Sequence, residues 1–322
     1  MAIQARQQLY AALEATYNAD PAQAATDAFI AVDDLSIEVA SEDAEIEPID
    51  AFLDGLGHVA GQLLYKLSFS TPLKGSGTLG TVPDIGQLFK GCGFDETVVA
   101  MTSVTYQPAS VFGAGATGYQ SLKFFIEDAT HQFQIQGSYG TFSISADPAT
   151  YPKVRWEFTG LYERPVDDAA ILAPTVETSR PQPSRGLTLT IHGTAGGASL
   201  RPSSVELALN REVHVTRSMA ATFGVAAIEL GRCVPTLTAK VQEQTIAGKD
   251  WWLALEDATL STLSLRWAGA AGNIVTITDA AGTGGIAVRT LGRGEDNGVT
   301  SLDLGFSFRR SAGDDQLSIA FT

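Results

Sequence analysis

Short runs that alternate apolar and polar residues, separated by turn-forming residues, most limit the folds open to this chain. In QLLYKLSFSTPL, residues 62–73, Tyr65, Leu67 and Phe69 alternate with Lys66 and Ser68. A repeat of two residues gives a β-strand one buried face and one polar face. Comparable runs recur along the chain, and the 32 glycines supply turns. The sequence therefore predicts a mainly β fold of many antiparallel strands.

Strand-like runs occur in both halves of the chain. The segment AFIAVDDLSIEVA predicts a strand that is broken at Asp33 and Asp34. The other predicted strands of the first half lie in VAMTSVTYQPA, GYQSLKFFIED, HQFQIQGSYGTFSIS and YPKVRWEFTGLYE, with a hairpin turn at EDATHQ. Those of the second half lie in LTLTIHGTAG, SSVELALNREVHVTRSM, VPTLTAKVQEQ, STLSLRWAG, GNIVTITDAAG, GIAVRTLG, SLDLGFSFRR and DDQLSIAF. Both halves are thus predicted to be built from antiparallel strands.

Three helices are predicted among the strands. The first covers Gln4–Tyr17, where apolar residues follow helical spacing. A short second helix follows Pro83, with Thr81 as its expected cap and Gly91 and Gly93 at its end. The third lies in DWWLAL, residues 250–255, where the two tryptophans are expected to anchor a core or an interface. One short helix is thus predicted inside each half.

The length of 322 residues favours two domains. Residues 169–185 contain Pro174, Pro181 and Pro183 and are predicted to form a linker, because proline disrupts strand ladders. We therefore expect domains at residues 1–168 and 186–322. The similar order of elements in the two halves suggests an internal duplication. If each half forms one unit of a ring, three chains could close a six-fold ring, and a ring of six chains remains the alternative.

Negative charge is concentrated in the first half. Residues 1–168 hold 8 basic and 22 acidic side chains, a net charge of −14, whereas residues 169–322 have a net charge of −1. No Lys or Arg occurs between Arg6 and Lys66, a gap that contains acidic residues from Glu14 to Asp54. One surface must be strongly negative, which argues against tight binding to nucleic acid. A solvated acidic face that aids solubility is the simplest explanation.

The sequence offers no clear catalytic or metal site. The histidines at positions 58, 131, 192 and 214 are isolated from cysteine and from one another, so no metal-ligand spacing occurs. No nucleophile elbow accompanies them, and no cofactor is expected. Cys92 and Cys233 are expected to be reduced thiols. No export signal or apolar run of about 18 residues is found, so no membrane partner is expected.

One glycine motif resembles a dinucleotide-binding loop. GSGTLG places Gly75, Gly77 and Gly80 in the pattern G-x-G-x-x-G, with Asp95 about 20 residues from its start. Such a site needs a buried parallel strand before the loop, whereas the strand before GSGTLG has a polar face. We therefore interpret GSGTLG as a turn from a strand into a short helix.

Several segments resemble tail tube proteins of long-tailed bacteriophages and related prophages. LSFSTPLKGSGTLGTVPDIGQLFKGCGF is similar to a pattern in which a PD or PE turn leads to LLxxCG. The matching residues there are Pro83, Leu88, Cys92 and Gly93, and further matches follow at Gly137, Gly140 and Phe158 to Gly160. The segment VELALNREVHVTRSMAATFGVAAIELGRCVPTLTAKV resembles a second group of tail tube domains, with matches at Asn210 to Val213, Arg217 and Arg232. The resemblance covers most of the chain.

This resemblance implies two β-sandwich or barrel domains, each with a short flanking helix, whose sheets join neighbouring copies into rings. The rings would stack through loops and terminal arms into the hollow tail tube through which phage DNA passes. The expected partners are further copies of the chain, tail terminator and distal tail proteins, and transiting double-stranded DNA. The protein would be a virion component, not an enzyme, assembled in the host cytoplasm. The candidate lumen or inter-ring surface is acidic and comprises Asp33, Asp34, Glu38, Glu42, Asp43, Glu45, Glu47 and Asp50.

Two alternatives stay open at the level of sequence. A distal tail protein or a tail terminator would also be rich in β-strands but would form single rings. A carbohydrate-binding or hydrolytic β module would need an aromatic platform or a carboxylate pair in a cleft. The four tryptophans are distributed over the chain at positions 156, 251, 252 and 267.

Overall fold

A computed structural model describes most of the chain. It covers residues 7–47, 49, 57–113, 118–128, 130–167, 171–193, 196–246, 248–279, 284–296 and 298–322, without the side chains of residues 34 and 192–199. These residues form antiparallel strands and two short α-helices. The prediction of a mainly β fold is therefore confirmed.

The first half contributes ten strands in the described ranges. They are β1 (Gln8–Leu13), β2 (Ala28–Phe29), β3 (Val32–Glu45), β4 (His58–Pro72), β5 (Phe94–Val99), β6 (Ser103–Pro108), β7 (Leu122–Glu127), β8 (His131–Ala146), β9 (Lys153–Tyr162) and β10 (Val166–Asp167). The strands predicted from QLLYKLSFSTPL and from the four runs between residues 99 and 163 are confirmed as β4 and β6–β9. The predicted break at the aspartate pair is also confirmed, because Asp33 has a φ of 56° and the register of β3 shifts there.

The second half contributes eleven strands within the part of the chain that the structure describes. They are β11 (Leu187–Gly193), β12 (Gly196–Leu200), β13 (Pro202–Ala208), β14 (Arg211–Arg217), β15 (Val225–Cys233), β16 (Thr236–Gln242), β17 (Leu260–Trp267), β18 (Val275–Thr278), β19 (Ile286–Asp296), β20 (Val299–Phe308) and β21 (Ser318–Phe321). Every run predicted in this half contains a strand. β12 and β15 were not predicted, and the irregular burial pattern of β15 explains why it lacks a clear two-residue repeat.

Nineteen of the described strands form two connected sheets that each run through both halves, and β14 pairs only with β15 as a separate hairpin. The first sheet follows the path β3–β4–β9–β8–β13–β16–β20–β19, and β7, β1 and β2 extend it from the N-terminal part of β8. The second sheet has the order β5–β6–β21–β18–β17–β11–β12. The halves are therefore joined by strand pairing at β8–β13 and at β6–β21.

The two sheets enclose a shared hydrophobic core. β17 links them, because its first residues pair with β19 and its later residues pair with β11 and β18. Phe89 lies between the sheets, with its ring centroid 5.0 Å from that of Trp156, 4.9 Å from that of Tyr106 and 6.2 Å from that of Phe321. Residues of both halves thus contribute to one core cluster.

Both short helices predicted inside the chain are confirmed. Helix α1 (Gly86–Gly91) ends before Gly93, whose φ of +86° suits a helix terminus. Thr81 was wrong as the cap, because α1 begins only at Gly86 and its N-cap position, Ile85, makes no side-chain hydrogen bond. Helix α2 (Trp251–Glu256) is capped by Asp250, whose carboxylate accepts the backbone N–H of Leu253 at 3.0 Å.

The predicted helix at Gln4–Tyr17 is wrong for its described residues, because residues 8–13 form β1. This strand pairs with β2 on one side and β7 on the other, and both of its faces are buried at Leu9, Tyr10, Ala11 and Ala12. A strand buried on both faces carries a continuous apolar run, so it lacks the alternation that identifies a half-exposed strand. Residues 1–6 lie outside the described residues.

The segment between the halves contains no strand or helix in residues 171–183 but is held at several points. The Leu172 carbonyl accepts the Tyr10 hydroxyl, and the Glu177 carbonyl accepts the Lys74 ammonium at 2.7 Å. Farther along, the Arg180 carbonyl accepts the Asn273 side-chain amide at 2.7 Å. The segment therefore packs along both halves. The proposed division into domains at 1–168 and 186–322 stays a prediction.

Candidate assembly surface

The predicted acidic residues lie on β3 and just beyond its end. Asp33, Glu38, Glu42, Asp43 and Glu45 are exposed on β3, and Glu47 is exposed after it. Asp34 belongs to β3 but its side chain is not described, and Asp50 lies outside the described residues. The structure thus brings five of the eight predicted side chains onto one long strand.

The distal parts of β3 and β4 project as a two-stranded arm. β9 pairs with β4 only from Leu64 to Pro72, whereas β3 continues to pair with β4 out to Glu45 and His58. The backbone N–H of Ile46 also donates to the Gly57 carbonyl at 3.0 Å. We define the arm as residues 41–47, 49 and 57–62. The arm extends past the end of the β4–β9 pairing and carries the acidic residues 42, 43, 45 and 47.

The base of the arm is held by the hairpin of β14 and β15, which comes from the other half of the chain. Arg217 pairs with Glu42 at 2.7 Å, and the backbone N–H of Leu63 donates to the Phe223 carbonyl at 3.1 Å. The ring of Phe223 meets that of Tyr162 edge to face at 4.9 Å between centroids. Polar and aromatic contacts thus fix where the arm leaves the sheet.

The acidic residues nearer the sheet have basic neighbours. Asp33 pairs with Lys153, and Glu38 faces Lys66 across the β3–β4 ladder. Arg155 and Glu157, whose side chains lie 3.3 Å apart, line the same surface groove as Glu38 and Lys66. Charges of both signs therefore alternate on this face of the sheet, whereas net negative charge is concentrated on the arm.

Both sheets end in edges that are open in the described chain. The outer edge of β3 and most of the outer edge of β19, from Val288 onward, have no pairing strand among the described residues. The same holds in these ranges for β5 and β12 at the two ends of the second sheet. Open edges present unpaired N–H and C=O groups that can pair with another chain.

The glycine motif is a packing site between the halves. The backbone N–H of Gly75 donates to the side-chain oxygen of Asn273 at 2.7 Å, and that of Gly77 donates to the Gly272 carbonyl at 3.0 Å. A Cβ at Gly75 would lie 2.2 Å from the Gly272 oxygen, so the backbones need glycine to approach this closely. The preceding strand β4 pairs antiparallel on both sides. These contacts support the interpretation of GSGTLG as a structural turn.

A buried charged cluster, which was not predicted, lies next to this loop. Lys74 and Asp84 are nearly inaccessible, with 3.5 Å between their charged atoms. Burial raises the pKa of Asp84, and the nearby Lys74 ammonium partly offsets that rise. Burial, followed by repulsion from Asp84, raises the pKa of Glu177 to about 7. Glu177 lies 103 positions after Lys74, so only the fold brings it to the Lys74–Asp84 pair.

The described residues contain no group of three His, Cys, Asp or Glu side chains placed to bind a metal ion. None of the helices in the described ranges is long and apolar enough to span a membrane. Cys92 is buried and Cys233 half-buried, and both are free thiols. Burial raises the pKa of Cys233 to about 11, so the neutral thiol is favoured.

Two groups of residues that carried the tail tube resemblance meet in the structure. Arg211 of β14 donates to the Gly93 carbonyl at 3.0 Å, directly after helix α1. A Cβ at Gly93 would lie 2.5 Å from the Arg211 guanidinium. Motifs from the two halves therefore form one packed contact.

Open-edged sheets and a projecting arm define a β-rich protein with surfaces suited to association with other chains. The family model described as "Phage tail tube protein" matches residues 4–308. The chain belongs to the phage tail tube protein family and is a structural protein of the phage tail. The curated proteins with which the sequence was compared include no match.

Proposed function

We propose that this protein polymerises as stacked rings into the hollow tail tube through which phage DNA passes to the host cell. The match of residues 4–308 to the tail tube family carries the proposal. It supports a structural role in the virion, and we propose that this role involves no catalysis. The fold adds physical support through its edges, its arm and its charge.

The positions of the open edges favour closure into a ring. β3 and β19 lie at opposite ends of the eight-strand path of the first sheet, and β5 and β12 lie at opposite ends of the second. Exposed edges favour association, and a head-to-tail contact between unlike edges forms a ring when its rotation closes. Three chains with two ring units each, or six chains with one unit each, satisfy this geometry.

The arm suits a contact between successive rings. A two-stranded ribbon is marginally stable by itself, so a projecting arm gains stability by packing against a partner. We assign the acidic surface of Asp33, Asp34, Glu38, Glu42, Asp43, Glu45, Glu47 and Asp50 to the lumen or to the contact between rings. Asp33 and Glu38 have basic neighbours on the sheet, whereas the net negative charge lies farther out on the arm. We therefore favour the contact between rings for the acidic residues of the arm.

The charge of the chain suits transit of DNA without tight binding. The formal net charge is −15, and tight binding to a duplex requires lysine and arginine to displace counterions from phosphates. A wall of the same sign as DNA limits adhesion during passage. The remaining proposed partners are tail terminator and distal tail proteins, which would stop and start the tube, with assembly in the host cytoplasm.

Negative-stain electron microscopy of the purified protein at rising concentration tests the proposal. Long hollow tubes with a regular axial repeat are the expected result, and end-on views would count the chains in a ring. Closed single rings would favour a distal tail or terminator protein. Monomers at every concentration, together with a sugar-dependent change in tryptophan fluorescence, would favour a carbohydrate-binding module.

A further inference from the structure

The described part of the arm is amphipathic. Ala44 pairs with Val59 in the β3–β4 ladder, and Ile46 lies one repeat beyond Ala44, so these three side chains share one face. Ile46 and Val59 are 43% and 55% exposed. Glu45 and His58 pair on the opposite face. The arm therefore presents an apolar face to solvent while its other face is polar.

A second apolar surface lies where the turn between β5 and β6 meets the glycine loop, which is the GSGTLG segment at residues 75–80. Val99 and Met101 are exposed at this turn, at 49% and 84%, and Leu79 is exposed on the adjoining loop. The two segments touch, because a Cβ at Gly80 would lie 2.3 Å from the Met101 backbone nitrogen. We call Leu79, Val99 and Met101 the loop-end patch.

The arm and the loop-end patch lie beyond opposite ends of β4. The arm includes the start of this strand, and the glycine loop follows Pro72 at its end. Fifteen residues at about 3.3 Å per residue span about 50 Å. One chain cannot bring both surfaces together along such a strand, whereas two copies related head to tail can.

The charges at the two surfaces are complementary. Glu45 and Glu47 are exposed on the arm. Arg180 is exposed at the other end, where Asn273 binds both its carbonyl and the glycine loop. Arg266 is exposed on β17, shortly before the turn that contains Gly272 and Asn273. Opposite charges around apolar centres favour a defined orientation between partners.

We propose that the apolar face of the arm docks on the loop-end patch of a second copy of this chain in the next ring. This inference rests on the proposed function and adds the surface that receives the arm. The contact is heterologous, since different patches meet, and it repeats along the tube because each ring is shifted along the axis relative to the one before. Apolar side chains exposed at both surfaces would leave water together.

Paired aspartate substitutions test the two surfaces separately. The arm variant combines Ile46→Asp with Val59→Asp, and the patch variant combines Val99→Asp with Met101→Asp. Each buries unpaired charge in the contact, so we expect the concentration needed for tube formation to rise by at least about ten-fold. Val111→Asp alters an exposed valine outside both surfaces and should form tubes like the wild type. Thermal unfolding confirms that each variant is folded.

A cysteine pair tests direct contact. In a Cys233→Ser background, Val59→Cys combined with Met101→Cys should give covalent ladders of many chains when assembled protein is oxidised. Either cysteine alone should give no ladder. Disulfide-linked dimers from Val59→Cys alone would show that arms meet arms and would overturn the proposal.

The results separate this inference from the proposed function. A wild-type protein that forms no tubes, or only single rings, overturns the proposed function and the inference with it. Wild-type tubes together with folded arm and patch variants that also form tubes overturn the docking proposal alone. Wild-type tubes, loss of tubes in both variants and ladders from the cysteine pair support both.

Discussion

Arg217 of β14 and Glu42 of β3 lie 2.7 Å apart and join the β14–β15 hairpin to the base of the arm. The two residues are 175 positions apart in sequence and come from different halves. Both side chains are more than half exposed, so the pair itself adds about 1 kcal/mol or less to stability. Its importance lies in the direction that it gives the arm.

Reversing the charge at this contact should impair assembly more than folding. Arg217→Glu places two carboxylates together and should displace the base of the arm. We expect the free energy of unfolding to change by about 1 kcal/mol or less, while tube formation requires a higher protein concentration. Urea unfolding and electron microscopy measure the two effects.

The exchanged pair provides the control. Glu42→Arg combined with Arg217→Glu restores opposite charges at the same positions and should recover tube formation. A single Arg217→Glu variant that assembles like the wild type would show that the ion pair does not direct the arm.

Phe321 on β21 should couple the two halves. It is 3% exposed, and its ring packs against Phe89 at 6.2 Å and Tyr106 at 5.9 Å between centroids. Removing a buried phenylalanine ring costs about 3–5 kcal/mol, so Phe321→Ala should lower the free energy of unfolding by that amount. Urea unfolding followed by tryptophan fluorescence and by far-ultraviolet circular dichroism measures the loss and its cooperativity.

Trp252→Ala is the matched control, because it removes an aromatic ring that is 45% exposed. Its cost should be about 1 kcal/mol or less. Coincident transitions for the two probes would show that the halves unfold together. Equal losses for both variants would contradict the role assigned to Phe321.

The alternation of residues in the chain predicted individual strands but not their partners. Leu67 and Phe69 alternate with Lys66 and Ser68 because β4 has one buried and one polar face, so its sequence identifies it. In β1, Tyr10 and Ala11 are both buried, and the same reasoning predicted a helix there. The pairing of β21 with β6 joins residues more than 200 positions apart, and no local pattern encodes it.

For the candidate site, too, the sequence predicted the segment but not its partners. The lack of cations between Arg6 and Lys66 identified the acidic segment that forms β3 and the described part of the arm. Its basic partners, Lys153 and Arg217, come from distant strands, so sequence alone did not show which carboxylates are paired. The projection of the arm depends on where β9 stops pairing with β4, which is a property of the folded sheet.

Gly80 should be essential for the contact between the glycine loop and the β5–β6 turn. Its φ is +69°, and an added Cβ would lie 2.3 Å from the Met101 nitrogen and 2.7 Å from the Val99 oxygen. Gly80→Ala combines backbone strain with a steric clash and should cost about 2–4 kcal/mol. Thermal and urea unfolding measure this loss.

Gly298→Ala separates the two causes. Gly298 has a similar φ of +82°, but nothing lies within 4 Å of an added Cβ. Its substitution should cost about 1 kcal/mol from backbone strain alone. If both variants lose the same stability, steric contact at Gly80 contributes nothing.

Glu177 should make stability depend on pH. Its pKa is raised from 4.5 to about 7 by burial and by repulsion from Asp84, with Lys74 opposing the shift. Between these values the folded state keeps a proton that the unfolded state has lost, so the stability contribution of Glu177 is present below pH 4.5 and is lost as pH rises toward 7. Glu177→Gln is neutral throughout, so its stability relative to the wild type should increase over this range and then stay constant.

Urea unfolding at several pH values measures the difference, with Glu256→Gln at an exposed position of α2 as the control for removing one charge. A constant difference between Glu177→Gln and the wild type from pH 4.5 to 7 would show that the carboxyl group of Glu177 does not titrate in this interval.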